Sequence, residues 1–427
     1  MYYLFRGGFM KTVACIGVGN RGSKYLLELN IFHKKEIKPV AICDIKPEKL
    51  VRFGKKYKIA EDMRFQNDDA FFDKGVLADG LIISTPDKEH FRHAKRAIEV
   101  GYKTILLEKP VSKYIEETKE IARLADEYGA KVVVCHVLRY SNYYLTLKNA
   151  VESGALGRVI SVEQRENVGY FHFAHSYVRG EWHNEADSSP SILAKCCHDL
   201  DLLYYYTGKK CLSVTSIGSR RIFIPENAPE GAPLRCMDGC PHHKDCPYYA
   251  PHVYYKPTLH SIPIYFFRGA QVTKLGNPTI KQVKEALKTY SPYGRCVYHC
   301  DNDVIENQTV LCKFDGDVNA TLTMNASSRG CFRRVHITGT KGELYGRDID
   351  GKFTLNVFGK GKKTVKAKVG QGHLGGDSGI VGDFIDLLEN GKMAKRMSVM
   401  RETLMSHLMA FAAEESRKDG GTTKLIK

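Results

Sequence analysis

Two short motifs, about ninety residues apart, contain residue types that could do chemistry together. The first is a glycine-rich turn, Gly17-Val18-Gly19-Asn20-Arg21-Gly22, which follows the apolar run 12–16. The second is Glu108-Lys109-Pro110, which follows the apolar run 104–107. Both runs are typical of strands in a parallel sheet, where ligands bind at the carboxyl ends of the strands. The two motifs are therefore the first candidates for a functional site.

The glycine turn has the spacing of a dinucleotide-binding loop. In such loops the residue at Gly17 allows the tight turn, and the one at Gly19 lets the backbone approach a pyrophosphate. Gly22 would let the following helix, expected over residues 21–30, pack closely on the strand. The amino end of that helix would then offer free N–H groups to the phosphates. A structural glycine turn is the alternative.

Asp44 follows a second predicted strand, residues 37–43. An acidic residue at this place accepts hydrogen bonds from the adenosine ribose and repels a 2′-phosphate. The pattern therefore predicts NAD as the cofactor, whereas the nearby Lys46 leaves NADP as an alternative.

Lys109 could move a proton. Transfer of a hydride from an alcohol to a nicotinamide requires removal of the hydroxyl proton, and a positioned side chain does this best. Burial and a neighbouring positive ring both favour the neutral form of a lysine, which can accept that proton. The alternative is a surface lysine after a strand.

The composition limits the class of protein. A chain of 427 residues suits two domains, and 43% hydrophobic residues supply an ordinary core. No apolar run reaches the roughly 18 residues of a membrane span, and residues 1–10 lack a signal-peptide core, so we treat them as an extension without function. Thirteen cysteines, an odd number, favour a reducing cytoplasm over a disulfide scaffold. The net charge of +16 suits a basic cleft for an anionic ligand, and no nucleic-acid-binding module accompanies it.

The order of apolar runs predicts an α/β protein with two domains. Residues 1–137 alternate short strands with amphipathic helices, which predicts a Rossmann domain with a doubly wound parallel sheet. In this domain the residues directly after each strand, including His136, are candidates for the ligand site. Residues 138–427 predict a second α/β domain with a large, mostly antiparallel open sheet. Residues from about 222 to 300, rich in Cys, His and Pro, fit neither pattern and are expected to be an insertion.

The motifs together resemble the Gfo/Idh/MocA family, the NAD(P)-dependent relatives of glucose–fructose oxidoreductase and inositol dehydrogenase. The resemblance covers nearly the whole chain except the insertion. It rests on the glycine turn and Glu108-Lys109-Pro110, and on four further motifs, which are Ser84-Thr85-Pro86 with His90, Ser153-Gly154-Ala155-Leu156-Gly157, His198-Asp199 with Asp201, and Gly339-Thr340-Lys341-Gly342-Glu343.

The resemblance implies roles for individual residues. It places Lys109 beside the nicotinamide and the substrate, and it makes His198 a site residue. Family dehydrogenases have an aspartate four residues before this histidine, but here that position is Ala194, followed by Lys195. We therefore expect Lys195 to take part, with Lys109 and His198, as a catalytic residue. The expected cofactor contacts are Gly17, Gly19, Asn20, Arg21, Gly22, Asp44, Thr85, Pro86, His90 and Glu108.

A polar stretch before the helix predicted over residues 192–207 suits a sugar. Hydroxyl groups need paired donors and acceptors, and an indole ring packs against a pyranose. The alternative is an exposed loop with incidental histidines. The candidate substrate contacts are Arg139, Tyr140, His172, His175, Arg179 and Trp182, the last being the only tryptophan.

The insertion contains closely spaced cysteines. Cys236, Cys240 and Cys246 with either Cys296 or Cys300 would complete a tetrahedral site for a structural zinc ion, and we favour Cys300 as the fourth ligand. In a reducing compartment this spacing favours a metal over disulfides, and free thiols are the alternative.

These expectations combine into one leading function and two rivals. The leading hypothesis is an NAD-dependent oxidoreductase that acts on a hydroxyl of a sugar, glycoside or polyol, with Lys109 as the proton shuttle. The first rival is a glycosidase that keeps NAD bound and uses transient oxidation, elimination and re-reduction. The second is a cofactor-binding regulator without catalysis. The expected partner is a small carbohydrate, with no nucleic acid or membrane, and the resemblance implies a homo-oligomer, a dimer or tetramer.

Overall fold

The computed structural model describes residues 10–256, 265–370 and 373–426. The extension predicted at residues 1–10 thus lies almost wholly outside the described residues, as does part of the predicted insertion, residues 257–264.

The first domain is built on a six-stranded parallel sheet. Its strands are short and buried, because helices cover both faces and leave no polar face on the strand. The sheet order is β3-β2-β1-β4-β5-β6. The strands are β1 (Lys11–Ile16), β2 (Ile37–Cys43), β3 (Arg64–Phe65), β4 (Gly80–Ile83), β5 (Thr104–Leu107) and β6 (Lys131–Val134).

Five helices connect these strands. The order of the sheet reverses between β1 and β4, and ligands bind at this switch point in doubly wound sheets. The helices are α1 (Asn20–Phe32), α2 (Pro47–Tyr57), α3 (Asp68–Phe72), α4 (His90–Val100) and α5 (Ile115–Glu127).

The second domain contains a nine-stranded sheet in the order β14-β13-β12-β11-β7-β10-β9-β8-β15. Neighbouring strands are antiparallel except β7 and β10, which are parallel. The strands are β7 (Val159–Gly169), β8 (Cys211–Ser219), β9 (Asn307–Phe314), β10 (Val318–Ser328), β11 (Phe332–Gly339), β12 (Gly342–Arg347), β13 (Lys352–Val357), β14 (Gly361–Lys366) and β15 (Lys424–Leu425).

One face of this sheet packs against helices, and the other is open. The long strands alternate buried and exposed residues, as a sheet with one solvated face requires. The helices of this half of the chain, apart from the insertion, are α6 (Asn142–Glu152), α7 (Tyr170–Phe173), α8 (Ser191–Ala194), α9 (Cys197–Thr207), α13 (Gly376–Asn390) and α14 (Met400–Lys418).

The insertion has a small apolar cluster of its own. The helices α10 (Ala250–Tyr254), α11 (Tyr265–Thr273) and α12 (Ile280–Lys288) surround it. The buried residues of the cluster include Cys236, Tyr254, Val283 and Leu287. The segment is thus a packed unit rather than a plain loop.

The C-terminal helices pack back onto the first domain. Ile380, Phe384 and Leu388 of α13 belong to the same buried cluster as Val13 of β1 and Leu29 of α1. The predicted boundary at residues 137 and 138 falls in a helical turn, Val137–Tyr140, between the two sheets. Helix α13, near the end of the chain, therefore contributes to the core of the first domain.

The predicted fold class is confirmed: a parallel Rossmann sheet is followed by a mostly antiparallel open sheet. The structure adds strands β12 to β14, whose short sequences at the edge of the sheet alternate only weakly. It also divides the helix predicted over 192–207 into α8 and α9, with Lys195 and Cys196 in a turn. Within the described ranges no helix combines the length and the apolar character of a membrane span. All thirteen cysteines are free thiols.

Candidate functional site

The glycine turn lies at the carboxyl end of β1. Gly17 has φ +84°, and a Cβ there would lie 2.6 Å from the Ser84 carbonyl oxygen, so the position requires glycine. The Ser84 hydroxyl donates a hydrogen bond to the Gly17 carbonyl over 2.7 Å. A Cβ at Gly22 would collide with the same carbonyl. The close approach of β1, β4 and α1 therefore depends on these two glycines.

The turn has the features that a dinucleotide requires. A Cβ at Gly19 would meet no described atom within 4 Å, so the backbone is open on that side. No side chain caps the amino end of α1, and its first turn contains no acidic residue. Free N–H groups and the helix dipole there favour a phosphate. Asn20, the first residue of α1, is exposed at this end.

Asp44 holds the turn from the end of β2. Its carboxylate accepts hydrogen bonds from the backbone N–H of Val18, 3.0 Å, and of Lys46, 3.0 Å. Lys49, rather than Lys46, places its ammonium 3.0 Å from this carboxylate. Asp44 thus lies beside the turn, at the place that the sequence predicts for a ribose contact.

Arg21 and Glu108 form a buried ion pair between the two motifs. The Arg21 Nε donates to Glu108 Oε1 over 2.6 Å, and its Nη2 lies 2.9 Å from Asp377 of α13. The Tyr25 hydroxyl also donates to Glu108. Burial raises the pKa of Glu108, but Arg21 and Lys109 outweigh that effect, so the carboxyl has a lowered pKa. Both residues, predicted as cofactor contacts, have these protein partners instead, and the pair ties α1 to the loop that carries Lys109.

His90 connects the two loops at the cofactor edge. One ring nitrogen lies 2.6 Å from the Pro110 carbonyl oxygen, and the other lies 2.8 Å from that of Thr85. His90 is 1% exposed, whereas Thr85 is half-buried and Pro86 is exposed at the edge. His90 therefore positions the loops rather than facing the cleft.

Lys109 reaches across to the second domain. Its Nζ donates a hydrogen bond to the carbonyl oxygen of Ala194 over 2.8 Å. That carbonyl is available because α8 ends at Ala194, and a turn precedes α9. In a continuous helix it would accept from the N–H of His198 instead. The interruption thus lets the backbone of residue 194 hold the lysine, where family dehydrogenases have an aspartate side chain.

Three buried histidines, His136, His198 and His407, and the exposed His373 lie close together beside Lys109. The ring of His198 lies 5.6 Å from the ring of His136 and 6.3 Å from that of His373. His407 packs on the other side of His136, with 5.8 Å between ring centroids. Burial, followed by the charge of Lys109, holds the pKa of His198 well below its usual range. Burial and then Arg139 and Lys109 do the same to the pKa of His136. At neutral pH both rings are therefore uncharged.

Lys195 forms an ion pair with Glu166 of β7, over 3.3 Å. Arg333 of β11 lies 2.8 Å from the same carboxylate and 2.8 Å from Asp199. Burial raises the pKa of Glu166, although the two cations oppose that change. The predicted catalytic residues Lys109, His198 and Lys195 thus lie around one short segment, residues 194–198.

Arg139 and Tyr140 lie in the protein interior rather than in the cleft. Arg139 is 1% exposed and donates to both oxygens of Asp201, over 2.6 and 2.8 Å. Its third nitrogen pairs with Glu402. The Tyr140 hydroxyl accepts a hydrogen bond from the N–H of Ser398. Both predicted substrate contacts have structural partners here, because the loop after β6 turns inward against α9 and α14.

The polar stretch before α8 divides between the cleft and the insertion. Trp182 is half-buried and donates its indole N–H to Asp87 over 3.2 Å. His172 is also half-buried, and its ring lies 6.4 Å from that of Tyr177. These two keep an exposed part that a ligand could contact.

His175 and Arg179 form hydrogen bonds with residues of the insertion. The ring of His175 is hydrogen-bonded to the Tyr254 hydroxyl, 2.8 Å, and to Gln271, 2.9 Å. Arg179 is 3% exposed and donates to the carbonyls of Arg295, 2.7 Å, and Tyr248, 2.8 Å. The structure does not favour them as substrate contacts, because these bonds use their polar atoms inside the protein.

Four cysteines of the insertion line one small enclosed cavity beside Arg179. They are Cys236, Cys240, Cys246 and Cys296. The predicted fourth ligand, Cys300, is not on its wall, since its Sγ donates to the Cys296 carbonyl over 3.2 Å. Of the two candidates for the fourth ligand, Cys296 lies on this wall and Cys300 does not, and a metal in the insertion stays a prediction.

One potential metal-ligand group stands out among the described residues. The ligand atoms of His136, Cys197 and His198 all lie within 4.8 Å of one another, and all three side chains are buried. No group of three such ligands in the described part of the insertion meets this distance.

Sequence reasoning missed several acids and histidines at this site. Glu166 lies on β7, where Val162, Gln164 and Glu166 alternate inward. Polar residues at inward positions of a strand were a usable signal, because burying a carboxylate demands a partner. His373, just before α13, and His407, on α14, follow no local pattern, since only the tertiary fold brings these segments to the cleft.

The fold and the turn define a class, the dinucleotide-binding oxidoreductases with a Rossmann domain. Residues 11–136 match the GFO_IDH_MocA family, described as an oxidoreductase family with an NAD-binding Rossmann fold. The N-terminal domain belongs to this family, as the motifs predicted.

The relatives agree with this assignment. The chain is 39% identical over 83 residues to an uncharacterized oxidoreductase, YhhX, of Escherichia coli, which covers 19% of this chain and 24% of that protein. A putative oxidoreductase of Bacillus subtilis, YteT, is 21% identical over 78% of this chain and 76% of its own. The solved structure of a levoglucosan dehydrogenase, in complex with NADH and levoglucosan, has a TM-score of 0.69 at 15% identity. It covers 97% of this chain and 99% of that chain, so the similarity of fold extends over both domains.

Proposed function

We propose that this protein is an NAD-dependent oxidoreductase that acts on a hydroxyl group of a sugar, glycoside or polyol. The observation that carries the proposal is the position of Lys109. Its ammonium lies between the cofactor edge of the first domain and residue 194 of the second, 2.8 Å from the Ala194 carbonyl oxygen. A hydroxyl held there would lie close to both domains.

The glycine turn is the proposed cofactor site. The N–H groups at the start of α1 would bind the pyrophosphate, and Asp44 would accept hydrogen bonds from the ribose. When bound, NAD would accept the hydride from the carbon that carries the hydroxyl. Thr85 and Pro86 would border the nicotinamide at the carboxyl end of β4.

Lys109, His198 and Lys195 are the proposed catalytic residues. Lys109 would accept the hydroxyl proton at Nζ in oxidation and return it in reduction. His198, uncharged at neutral pH, would hold the substrate oxygen through a ring nitrogen. The ammonium of Lys195, held by Glu166, would bind a substrate oxygen beside this pair.

A carbohydrate is the proposed substrate class. The half-buried ring of Trp182 and the polar side chain of His172 suit a ligand that presents both an apolar ring face and hydroxyl groups. The levoglucosan dehydrogenase of similar fold supports the same class.

A panel of sugars tests this proposal. Purified protein with NAD and levoglucosan, aldoses or inositols is expected to form NADH with at least one of them. NAD binding without NADH formation on any member of a broad panel would contradict the proposal. Release of an aglycone from a glycoside without net NADH would favour the alternative, a glycosidase with bound NAD.

We also propose a homo-oligomer. The open face of the nine-stranded sheet carries exposed apolar side chains on separate strands, Ile217 of β8, Leu311 of β9 and Tyr345 of β12. Contact between two such faces would bury them.

A further inference from the structure

We propose that His136, Cys197 and His198 form a binding site for a transition metal ion, Zn²⁺ by its chemistry, with a fourth position open toward Lys109. The three ligand atoms lie within 4.8 Å of one another in the buried centre of the cleft. This site is separate from the cysteines of the insertion.

The first argument is that these ring nitrogens lack partners. His136 is 1% exposed, and neither of its ring nitrogens has a hydrogen-bond partner among the described residues. The Nδ1 of His198 is also buried without one. An unpaired buried polar atom costs about 1–3 kcal/mol, so three in one place call for an explanation. A metal ion binds one nitrogen of each ring, so it would account for up to two of these three atoms.

The second argument is the chemistry of the ligands. The site offers two imidazole nitrogens and one thiol, and a thiol gives up its proton when it binds a metal. Two nitrogens and one thiolate suit zinc, and three protein ligands with an open position are typical of its catalytic sites.

The third argument is geometric. In a tetrahedral zinc site, bonds of about 2.0–2.3 Å place neighbouring ligand atoms roughly 3.4–3.8 Å apart. From separations of at most 4.8 Å, the three atoms need to move together by about 1–1.5 Å at most. Cys197 and His198 begin α9 directly after a turn, so they are free of the preceding helix.

The site would also act in the proposed reaction, an inference that rests on the proposed function. In place of the ring nitrogen of His198, the metal would bind the substrate hydroxyl oxygen and weaken its O–H bond. The proton would pass to Lys109, and the hydride would pass to NAD from the carbon that bears this oxygen, which leaves a carbonyl group and NADH.

Cobalt spectroscopy on the full-length protein tests the site without any substrate. We expect Co²⁺ to bind and to give a thiolate-to-cobalt charge-transfer band. Cys197→Ser should abolish this band, whereas the matched variant Cys196→Ala, which changes a neighbouring buried thiol outside the group, should keep it. His136→Gln should weaken Co²⁺ binding by more than about 100-fold, since even changes behind a metal ligand cost about 10–100-fold.

A second cysteine variant separates the two regions of the chain. If Cys240→Ser abolishes the band and Cys197→Ser does not, the metal is in the insertion and the proposal is wrong. It is equally wrong if the wild-type protein binds no Co²⁺, or if His136→Gln binds it unchanged. Circular dichroism and NAD binding check that each variant folds. If Cys197→Ser does not fold, Co²⁺ binding by His136→Gln tests the site instead.

The open fourth position has its own measurement. Azide is expected to shift the d–d bands of the cobalt protein, because it can enter a vacant position. Unchanged bands would contradict the claim that the fourth position is open. Since this readout involves no sugar and no turnover, a failure of the proposed oxidoreductase activity would leave it unaffected.

Discussion

Single residues at the site differ in how far the sequence could reveal their roles. Lys109 and His198 were predicted from their motifs, and the structure places them around the same short segment as Lys195. Arg139, by contrast, has the residue type of a substrate contact but forms a buried pair with Asp201. Residue type alone does not distinguish a ligand-binding arginine from one that neutralises a buried acid, because both need the same donors.

We expect His407 to lower the free energy of unfolding as the pH falls. Its Nε2 accepts a hydrogen bond from the N–H of Val111, and burial lowers its pKa to about 3. The unfolded residue titrates near about 6.5, so between these values only the unfolded chain binds the proton. The free energy of unfolding should therefore fall as the pH is lowered through this window, by up to about 1.4 kcal/mol per pH unit from this group.

Urea unfolding between pH 7 and pH 5 measures this effect. His407→Gln should reduce the slope of unfolding free energy against pH by up to about 1.4 kcal/mol per pH unit, the contribution of one proton, since a glutamine cannot titrate. His243→Gln, at an exposed position, is the control and should leave the slope unchanged. Equal slopes in the wild type and in His407→Gln would contradict the assignment.

At the scale of elements, the strands and helices of the Rossmann domain could be predicted because their periodicity is strong and local. The break between α8 and α9 could not, since residues 192–207 are continuously helix-compatible in sequence. That break frees the Ala194 carbonyl for Lys109, so the site depends on it. The helices of the insertion were also missed, although α12 had usable signals: Thr279 and Gln282 form a capping box, and the buried Val283, Ala286 and Leu287 recur at helical spacing.

Arg179 should hold the insertion to the second domain. Arg179→Met would leave the buried carbonyls of Arg295 and Tyr248 without donors. We expect a loss of about 2–5 kcal/mol in unfolding free energy, together with faster proteolysis inside the insertion, mapped by mass spectrometry. Arg329→Met, at an exposed position, is the control. If Arg179→Met instead loses sugar binding at unchanged stability, Arg179 is a substrate contact, as the sequence predicts.

At the scale of the whole molecule, the site exists only where the two domains meet. The first domain supplies the glycine turn, Lys109 and His136, and the second supplies residues 194–198. The short turn before α13 and the helix α14 then bring His373 and His407, respectively, to the same place from the end of the chain. The sequence predicted both domains but not this convergence, because long-range packing decides which side chains from distant segments meet.

The central claim is that Lys109 transfers the proton at a cofactor-dependent site. The most direct measurement compares NAD affinity and turnover in Lys109→Ala, using the sugar that forms NADH fastest, with the exposed Lys88→Ala as the control. The account predicts NAD binding close to that of the wild type and a fall in turnover of about 10²–10⁴-fold, the usual contribution of a positioned acid or base. Full turnover in Lys109→Ala would contradict it.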